Sequence, residues 1–475
     1  MKEQRMNRRS FMKAASIAAA GCLIGDVFGA EKQSKPNILI VLGDDCTWND
    51  TPLYGGSNVK MPRLMNLASE GKTFNRAFMT MAMCQPCRTE LYTGQYPMTT
   101  GTCWNHCVSL PGTKSICHHL GALDYRVGIA GKTHIAPRSS FPFDNVKGYT
   151  DNCVAPTVEA DPTWIKEYMQ GEKGSDEPFC LVVGLVVPHA VWSVGDPSHF
   201  NLGRLTLPDN FANTMATREN YAKYLAEIEV LDRQLGDILD TLESTGKADN
   251  TIVIFSTEQG AQFPGCKWNN YDAGIRTGMV WRWPNRIKPN TRTDAMVQYA
   301  DVMPTLLEIA SGKAQNDKFD GSSFLQVLTG EKDSHRQYTY GMHNNLPEGQ
   351  PYPIRSVRDE RYRYIRNLSS ENLYINKYVM GKDHTSYWLS WMFAAGEHEK
   401  AHHLVSRYMH RPPEELYDLE NDPMEMDNLI SMKSMEPIKL RLSAELDSWM
   451  AQQGDLGAIV DTHEVYDAAR NRPRG

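Results

Sequence analysis

The segment Cys84-Gln85-Pro86-Cys87-Arg88 places a cysteine, which is a potential nucleophile, one helical turn from an arginine, which is a cation. Pro86 is suited to the first turn of a helix, where its missing N–H leaves no hydrogen bond unmade. Cys84 is therefore predicted at the N-terminal end of a helix, beside free backbone donors and the positive end of the helix dipole. An anion could be held there next to the thiol. A cysteine on its own is more often a buried, inert thiol, so the meaning of Cys84 depends on the residues around it.

The stretch that begins with these residues and runs to Gly94 resembles the sulfatase signature C-x-P-S-R, in which the cysteine is oxidised to formylglycine. The sequence departs from that signature at Cys87, where serine is usual. The resemblance implies a modified residue at Cys84 and, as a partner, a formylglycine-generating or sulfatase-maturating enzyme. It also implies covalent catalysis: the aldehyde hydrates to a geminal diol, one oxygen attacks the sulfur of a sulfate ester, and the other expels sulfate and restores the aldehyde.

Length and composition indicate a globular protein with more than one domain. A chain of 475 residues exceeds what one hydrophobic core usually supports. Its 41% hydrophobic and 23% charged residues are typical of neither a disordered nor a membrane-spanning chain. Its net charge of -7 argues against nucleic acid as a partner, so an anionic substrate would need a local basic pocket. We expect a large catalytic domain over residues 31–335 and a smaller domain over residues 336–475.

Residues 1–30 have the composition of an export signal. Asn7-Arg8-Arg9-Ser10-Phe11-Met12-Lys13 precedes a short, Ala-rich apolar run, as in a twin-arginine signal peptide. That run is short for a membrane-spanning helix, so we expect no transmembrane segment in the mature chain. A cleaved signal predicts a periplasmic or secreted protein, with lipoprotein anchoring at Cys22 as the alternative. The spacing of the ten cysteines gives no zinc pattern, although an exported protein can hold disulfides.

Four short apolar runs rich in β-branched residues alternate with helical patterns. The runs lie at residues 37–42, 126–130, 179–187 and 251–255. Their near-continuous apolar character is typical of strands buried in a parallel sheet. The clearest helical pattern, residues 221–242, places its leucines and isoleucines on one face. The sequence therefore predicts an α/β fold whose large domain has a mainly parallel central sheet flanked by helices.

Each predicted strand is followed by polar residues that could belong to one site. These are, in strand order, Asp44 and Asp45, then Lys132 and His134, then His189, then Glu258 and Gln259. Ligands of open α/β sheets bind at the carboxyl ends of the strands, so these groups are expected to converge. The sequence predicts one site at that edge, not four.

The acidic and amide residues of this set are suited to a hard cation. Calcium accepts several carboxylate and amide oxygens in a flexible geometry, whereas zinc prefers His or Cys. An Asp-Asp pair alone is more often a turn with a helix cap. The sulfatase resemblance assigns Asp44, Asp45 and the modified Cys84 to calcium. It places Glu258 and Gln259 where the family has Asp-Asn. Both side chains are one methylene longer than the family's residues, so one of them could fail to reach the metal. Glu258 is the better candidate ligand of the two.

The basic residues of the set are suited to a sulfate group. Lys132 and His134 stand two apart, so an extended segment could point both at one ligand. The resemblance implies that these two contact sulfate and formylglycine, and that Arg88 and Lys267 add positive charge. It implies that His189 is a general acid or a sulfate contact. Together with a divalent metal, such cations would offset charge that develops on the sulfate oxygens, although each alone could be a surface residue.

A second motif nearer the C-terminus supports the resemblance. Residues 415–423, Glu-Leu-Tyr-Asp-Leu-Glu-Asn-Asp-Pro, look like the sulfatase C-terminal signature. The smaller domain contains a predicted hairpin at residues 354–357 and 362–365, so we expect an α+β domain with an antiparallel sheet. Its arginines indicate either a solvated strand face or a contact with an anionic glycan. Loop residues Trp104, His106 and His343 are candidates for sugar contact.

These patterns predict a formylglycine-type sulfatase with a Ca²⁺ ion, acting on a sulfated carbohydrate. Residues 131–137 are similar to the corresponding segment of heparan N-sulfatases, so a glycosaminoglycan with sulfated glucosamine is one substrate option, as O-sulfate or N-sulfate. Two alternatives stay open. One is a phosphonate or phosphate ester hydrolase of the same alkaline phosphatase superfamily. The other is a noncatalytic sulfoglycan-binding protein in which Cys84 remains a thiol.

Overall fold

Two sheets organise the part of the chain that the computed structural model describes, which is residues 35–153, 155, 159–173, 176–381 and 387–474. The predicted export signal and Cys22 lie outside these residues. The strands of the described part are β1 (Asn37–Gly43), β2 (Lys72–Phe78), β3 (Arg126–Gly131), β4 (Asp144–Val146), β5 (Phe179–Leu185), β6 (Thr251–Thr257), β7 (Arg276–Arg282), β8 (Thr291–Thr293), β9 (Val297–Gln298), β10 (Thr339–His343), β11 (Ile354–Arg358), β12 (Tyr362–Asn367) and β13 (Glu414–Asp418).

The larger sheet has the four predicted apolar strands at its centre. Its order is β4-β3-β5-β1-β6-β7-β2-β8, and β9 pairs with β2. The neighbours from β4 to β6 are parallel, whereas β7 runs antiparallel to both β6 and β2. Every residue of β1, β5 and β6 is buried, as expected for strands covered on both faces. The prediction of a mainly parallel central sheet is confirmed.

Helices flank this sheet, and none of those described combines the length and apolar character needed to cross a membrane. The longest described helix, α6 (Met215–Ser244), begins after Thr214, whose side chain accepts a hydrogen bond from the backbone N–H of Thr217. It packs so closely on the end of β1 that a Cβ at Gly43 would lie 2.7 Å from Leu231. The helices are α1 (Pro62–Ser69), α2 (Cys84–Thr93), α3 (Pro97–Thr100), α4 (Ile116–Gly121), α5 (Thr163–Gln170), α6 (Met215–Ser244), α7 (Asp272–Ile275), α8 (Val302–Ser311), α9 (Leu325–Thr329), α10 (Lys377–Met380), α11 (Tyr387–Ala395), α12 (Glu399–Met409), α13 (Glu436–Gln452) and α14 (His463–Arg470).

The smaller sheet is antiparallel and follows chain order, β10-β11-β12-β13. The predicted hairpin is β11 and β12, and the predicted C-terminal signature supplies β13. This confirms an antiparallel sheet in the C-terminal region. From Pro36 onward the chain forms one compact unit that contains both sheets, and the division after residue 335 stays a prediction. The nine described cysteines are free.

The arginines of the hairpin correct one expectation, because three of them are buried rather than solvated. Arg355 pairs with Asp455, and both side chains are fully buried. Arg358 lies 2.7 Å from an oxygen of Asp272, and Arg363 also pairs with that carboxylate. These arginines therefore attach the small sheet to distant segments of the chain, including α7.

The cluster around Asp272 gives a stability prediction. Asp272→Asn is expected to lower the free energy of unfolding by about 3–5 kcal/mol, because Arg358 and Arg363 would stay buried without this counter-charge. Denaturant unfolding of the purified protein measures the change. Glu420→Gln, which removes the exposed partner of Arg361, is the matched control and should change that energy by less than about 1 kcal/mol. Equal stability of the two variants would contradict the account.

Candidate active site

The predicted strand-end residues meet at one edge of the central sheet because the parallel strands end in register. Gly43 of β1 pairs with Leu185 of β5 and with Thr257 of β6. Backbone hydrogen bonds continue this order past the strand ends. The N–H of Asp44 bonds to the carbonyl of Val187 at 3.2 Å, and the N–H of Glu258 bonds to the carbonyl of Gly43 at 2.8 Å. The site residues are therefore held by the sheet itself.

Cys84 begins α2 and lies among the acidic residues that follow β1. Its Sγ atom is 3.4 Å from Asp44 Oδ1 and 3.9 Å from Asp45 Oδ1, and Gln259 Nε2 donates to it at 3.0 Å. Only 2% of the residue is exposed. Burial and the Asp44 carboxylate raise the pKa of this thiol above its ordinary value. Since the thiolate is the nucleophilic form of cysteine, the unmodified side chain is poorly suited to attack at neutral pH.

Three buried cations surround this point. Lys132 pairs with Asp44, and Lys267 Nζ lies 2.7 Å from Asp45 Oδ2. Arg88, four residues after Cys84 on α2, has no exposed surface and lies 2.5 Å from Glu258 Oε1; it also donates to the carbonyl of Lys132 at 2.7 Å. The alternation of acids and cations explains how so much charge is buried.

The acidic groups fit a hard cation. Asp44, Glu258 and Cys84 each offer a ligand atom, and these atoms lie within 4.8 Å of one another. Glu258 Oε2 is buried and has no hydrogen-bond partner in the described part of the chain. Burial raises the pKa of Glu258, and Asp44 raises it further. Burial alone would also raise the pKa of Asp44, but Lys132 holds it well below its usual range. Two crowded carboxylates of this kind are the oxygen donors that Ca²⁺ prefers.

Gln259 takes part in the cluster as a donor. Its Nε2 atom lies 2.6 Å from Asp45 Oδ1, whereas Oε1 accepts a hydrogen bond from Cys87 Sγ at 3.2 Å. A metal binds only the oxygen of an amide, so in this orientation Gln259 is not a ligand. Ligation by Gln259 would need the amide turned by half a rotation, and its assignment to the metal stays a prediction.

His189 lies beside Asp45, with 3.6 Å between Nε2 and Oδ2. Burial lowers the pKa of the ring to about 4, although Asp45 opposes this shift. Nδ1 donates to the carbonyl of Ala190 at 2.5 Å, so in the neutral ring Nε2 is an acceptor. In this state His189 has no proton to give from Nε2. Its role as general acid therefore needs a protonated ring, which a bound sulfate would favour.

A cavity of about 570 Å³ opens onto Cys84. Lys132, His134, His189 and Lys267 line it, as does His106. The rings of His106 and His134 lie 5.1 Å apart, and neither ring nitrogen of His134 has a hydrogen-bond partner among the described residues. Burial lowers the pKa of His134 well below its ordinary value, so this ring is neutral.

Two of the three predicted sugar contacts lie elsewhere. Trp104 is buried, and its Nε1 atom donates to Asp461 at 2.9 Å. His343 has no exposed surface and contacts Asn345 and the hydroxyl of Tyr374. Neither is among the residues that line the cavity, whereas His106 is, and sugar contact stays a prediction for all three. Aromatic or histidine side chains in a loop are as often packed inward as presented to solvent.

Several lining residues carry no sequence motif and were missed. All but Tyr378, which lies on α10, come from loops, and they are Asn105, Asp151, Asn152, Cys153, Gln262, Trp268, Glu348 and Tyr378. Trp268 and Tyr378 stack with ring centroids 5.7 Å apart. The available signal was weak: Asn105 stands between two residues predicted for sugar contact, and Trp268 follows Lys267.

Comparison with known proteins identifies the family of this chain. Residues 36–313 match the family model described as Sulfatase, and residues 266–385 match the model described as N-sulphoglucosamine sulphohydrolase, C-terminal. The chain therefore belongs to the sulfatase family. Its activity is that of a sulfuric ester hydrolase.

Individual relatives span most of the chain. An ulvan-active sulfatase from Formosa agariphila is 33% identical over 425 residues, which cover 89% of this chain and 81% of the relative. The human N-sulphoglucosamine sulphohydrolase is 24% identical, with 92% of this chain and 94% of that protein covered. A solved structure of a protein in complex with its substrate D-glucosamine-2-N,6-O-disulfate has a TM-score of 0.66 and 18% identity, covering 89% of this chain and 99% of that one. At that identity the structural likeness shows the shared fold.

Cys87, which stands where the sulfatase signature has serine, gives a prediction. Its thiol contacts the carbonyl of Cys84 and Oε1 of Gln259, each at 3.2 Å. Serine keeps a donor at this position, so Cys87→Ser should change the rate of sulfate release by less than about threefold. Cys87→Val removes the donor at similar volume and should lower the rate by about tenfold. Steady-state assays of both variants measure the effect, and equal activity of serine and valine would refute a role for this donor.

Proposed function

We propose that this sulfatase acts on a sulfated carbohydrate, with formylglycine formed from Cys84 and a Ca²⁺ ion bound beside it. One observation carries the proposal: Cys84 begins α2 within 4 Å of the carboxylates of Asp44 and Asp45, at the edge where the central strands end. The names of the relatives support a sugar substrate, since they include an ulvan-active sulfatase and an N-sulphoglucosamine sulphohydrolase.

When present, the formylglycine hydrate supplies an oxygen nucleophile, and calcium held by Asp44, Asp45 and Glu258 supplies positive charge at the sulfate. The protein's own cations have complementary tasks. Lys132 and Lys267 both line the cavity beside Cys84, so their ammonium groups can hold sulfate oxygens. Arg88 is too deeply buried to line the cavity; it fixes the Glu258 carboxylate and adds positive charge behind the site. Such fixed charges need no reorganisation as the reaction proceeds.

His189 is the residue that we propose donates a proton to the leaving group. The leaving oxygen of the sugar must gain a proton as the sulfate bond breaks. His189 lines the cavity and faces Asp45, which stabilises a protonated ring once an anion binds. His134 lines the same cavity and offers a neutral ring for contact with the sulfate or the aldehyde hydrate.

Sulfate release from a substrate panel tests the proposed function. The enzyme, produced together with a formylglycine-generating enzyme, is assayed on ulvan fragments, on N-sulfated and O-sulfated glucosamine, and on matched phosphate and phosphonate monoesters. We expect release of sulfate from at least one sulfated sugar, faster than cleavage of the phosphorus esters. A preference for phosphorus esters would favour the phosphonate or phosphate hydrolase, and glycan binding without turnover would favour the noncatalytic binding protein.

The N-terminal sequence bears on where in or outside the cell the enzyme acts. We propose export by the twin-arginine route and a periplasmic or secreted mature enzyme, because residues 1–30 combine paired arginines with a short apolar run. That route carries folded proteins, so Cys84 would be modified before export. Fractionation of cells that produce the full chain tests the location, and N-terminal sequencing separates cleavage near residue 30 from lipid attachment at Cys22.

A further inference from the structure

Glu348 is a buried carboxylate in the wall of the active-site cavity that the chemistry at Cys84 does not use. It lies in the loop between β10 and β11 of the small sheet and is 1% exposed. Burial raises the pKa of its carboxyl group to about 7. Its Oε2 atom has no hydrogen-bond partner among the described residues, although a buried carboxylate oxygen is normally paired. Glu348 is among the residues that line the substrate cavity, so its unpaired acceptor points to a donor that a ligand supplies.

The other oxygen of Glu348 is held in place from the catalytic side. Asn105 Nδ2 donates to Glu348 Oε1 at 2.8 Å. Asn105 Oδ1 in turn accepts from the backbone N–H of Gln85 at 3.2 Å. Only Asn105 therefore stands between Glu348 and the residue next to Cys84. This chain of hydrogen bonds fixes the direction of the free oxygen relative to the start of α2.

The cavity wall carries charges of both signs. Lys132 and Lys267 line it together with Glu348, whose Oε1 accepts from Asn105. The stacked rings of Trp268 and Tyr378 line the same cavity and offer a flat apolar surface of the kind that sugar rings pack on. A sugar whose sulfate lies at the lysines would thus present another substituent of the same ring to Glu348.

We propose that Glu348 is a substrate-binding residue that accepts a hydrogen bond from a sugar hydroxyl on the ring that carries the scissile sulfate. Above its pKa of about 7 the carboxylate is ionised and only accepts hydrogen bonds, so it then selects a donor at this position. It also repels a second sulfate or a carboxylate there, since like charges in a desolvated site are strongly disfavoured. The inference rests on the proposed function and narrows its substrate class: the position that faces Glu348 bears a free hydroxyl.

The test uses the mature enzyme, its Glu348→Gln variant and a set of deoxy sugars. The starting compound is the sulfated monosaccharide from which wild type releases sulfate fastest, and each analogue lacks one hydroxyl. We expect one analogue to lower kcat/KM of wild type by about 10-fold to 100-fold, because a hydrogen bond to a charged group is lost. Glu348→Gln should lower kcat/KM for the parent sugar by a similar factor relative to wild type. On that one analogue, the variant and wild type should have the same kcat/KM.

Two controls separate binding from folding and from the chemical step. Glu371→Gln changes an exposed glutamate and should match wild type on every compound. An aryl sulfate without a sugar ring should be hydrolysed equally by wild type and Glu348→Gln. The inference would be overturned, with the proposed function intact, if Glu348→Gln lowered kcat/KM by the same factor on all analogues. It would also be overturned if the variant kept the wild-type kcat/KM on the parent sugar. If wild type released no sulfate from any sugar, the proposed function would fail, and the inference would fail with it.

Discussion

Cys84→Ala is expected to abolish sulfate release, with a fall in kcat of at least about 10⁴-fold, while binding of a sulfated sugar persists. Alanine cannot be converted to formylglycine, so the nucleophile is lost. The cavity and the lysines that line it remain, so the sulfate still has its cationic partners. Sulfate release measures turnover, and titration calorimetry with the same sugar measures binding.

A second cysteine provides the control for this variant. Cys117→Ala removes a buried thiol on α4, away from the cavity, and should keep activity within a fewfold of wild type. If Cys84→Ala retained more than a small fraction of the wild-type rate, the nucleophile would lie elsewhere. If it lost both turnover and binding while remaining folded, Cys84 would be needed for the binding site itself.

Asp44→Asn is expected to lower kcat/KM by about 10³-fold or more and to weaken calcium binding by about 100-fold or more. Asp44 offers a ligand atom together with Glu258 and Cys84, and it pairs with Lys132. The substitution therefore removes one negative charge from the proposed cation site and also the partner of Lys132, the lysine that we propose contacts sulfate. Calcium titration of the chelator-treated enzyme, followed both by calorimetry and by regained activity, measures the two effects.

Asp50→Asn is the matched control for a buried aspartate outside the metal cluster. Its carboxylate accepts one hydrogen bond at each oxygen, from the hydroxyls of Tyr221 and Tyr224. The asparagine oxygen keeps one of these bonds, and its NH2 group faces the other hydroxyl, which can accept as well as donate. We expect unchanged calcium affinity for this variant. Full activity of wild type after exhaustive chelation, or wild-type calcium affinity in Asp44→Asn, would contradict a metal site at Asp44.

The centre of the fold could be predicted from local sequence because its strands are apolar on both faces. β1, β3, β5 and β6 all coincide with predicted runs, and α6 contains the predicted helix of residues 221–242. The strands β2 and β7 were missed. Each carries polar residues, as in Lys72–Phe78 with its lysine, asparagine and arginine, and each is defined by antiparallel pairing with a distant segment rather than by its own pattern.

The same division holds for the site. Residues that directly follow central strands, such as Asp44 and Glu258, could be placed by a rule of α/β sheets. Outside the site, the burial of Arg355, Arg358 and Arg363 could not be predicted, because it depends on acidic partners far away in the chain. Glu348 also could not be predicted from the sequence, because its proposed role depends on one hydrogen bond from Asn105 and on the cavity that both residues line.

We expect Cys84 to carry the nucleophile in oxidised form, and peptide mass spectrometry across this residue is the decisive measurement. Protein produced with a formylglycine-generating enzyme is digested, and the fragment that contains Cys84 and Arg88 is measured alongside its sulfate-release activity. If Cys84 is oxidised to formylglycine, the fragment will be lighter than the thiol form by the difference between a –CH₂SH and a –CHO group, in a preparation that releases sulfate. An intact thiol in fully active enzyme would contradict it.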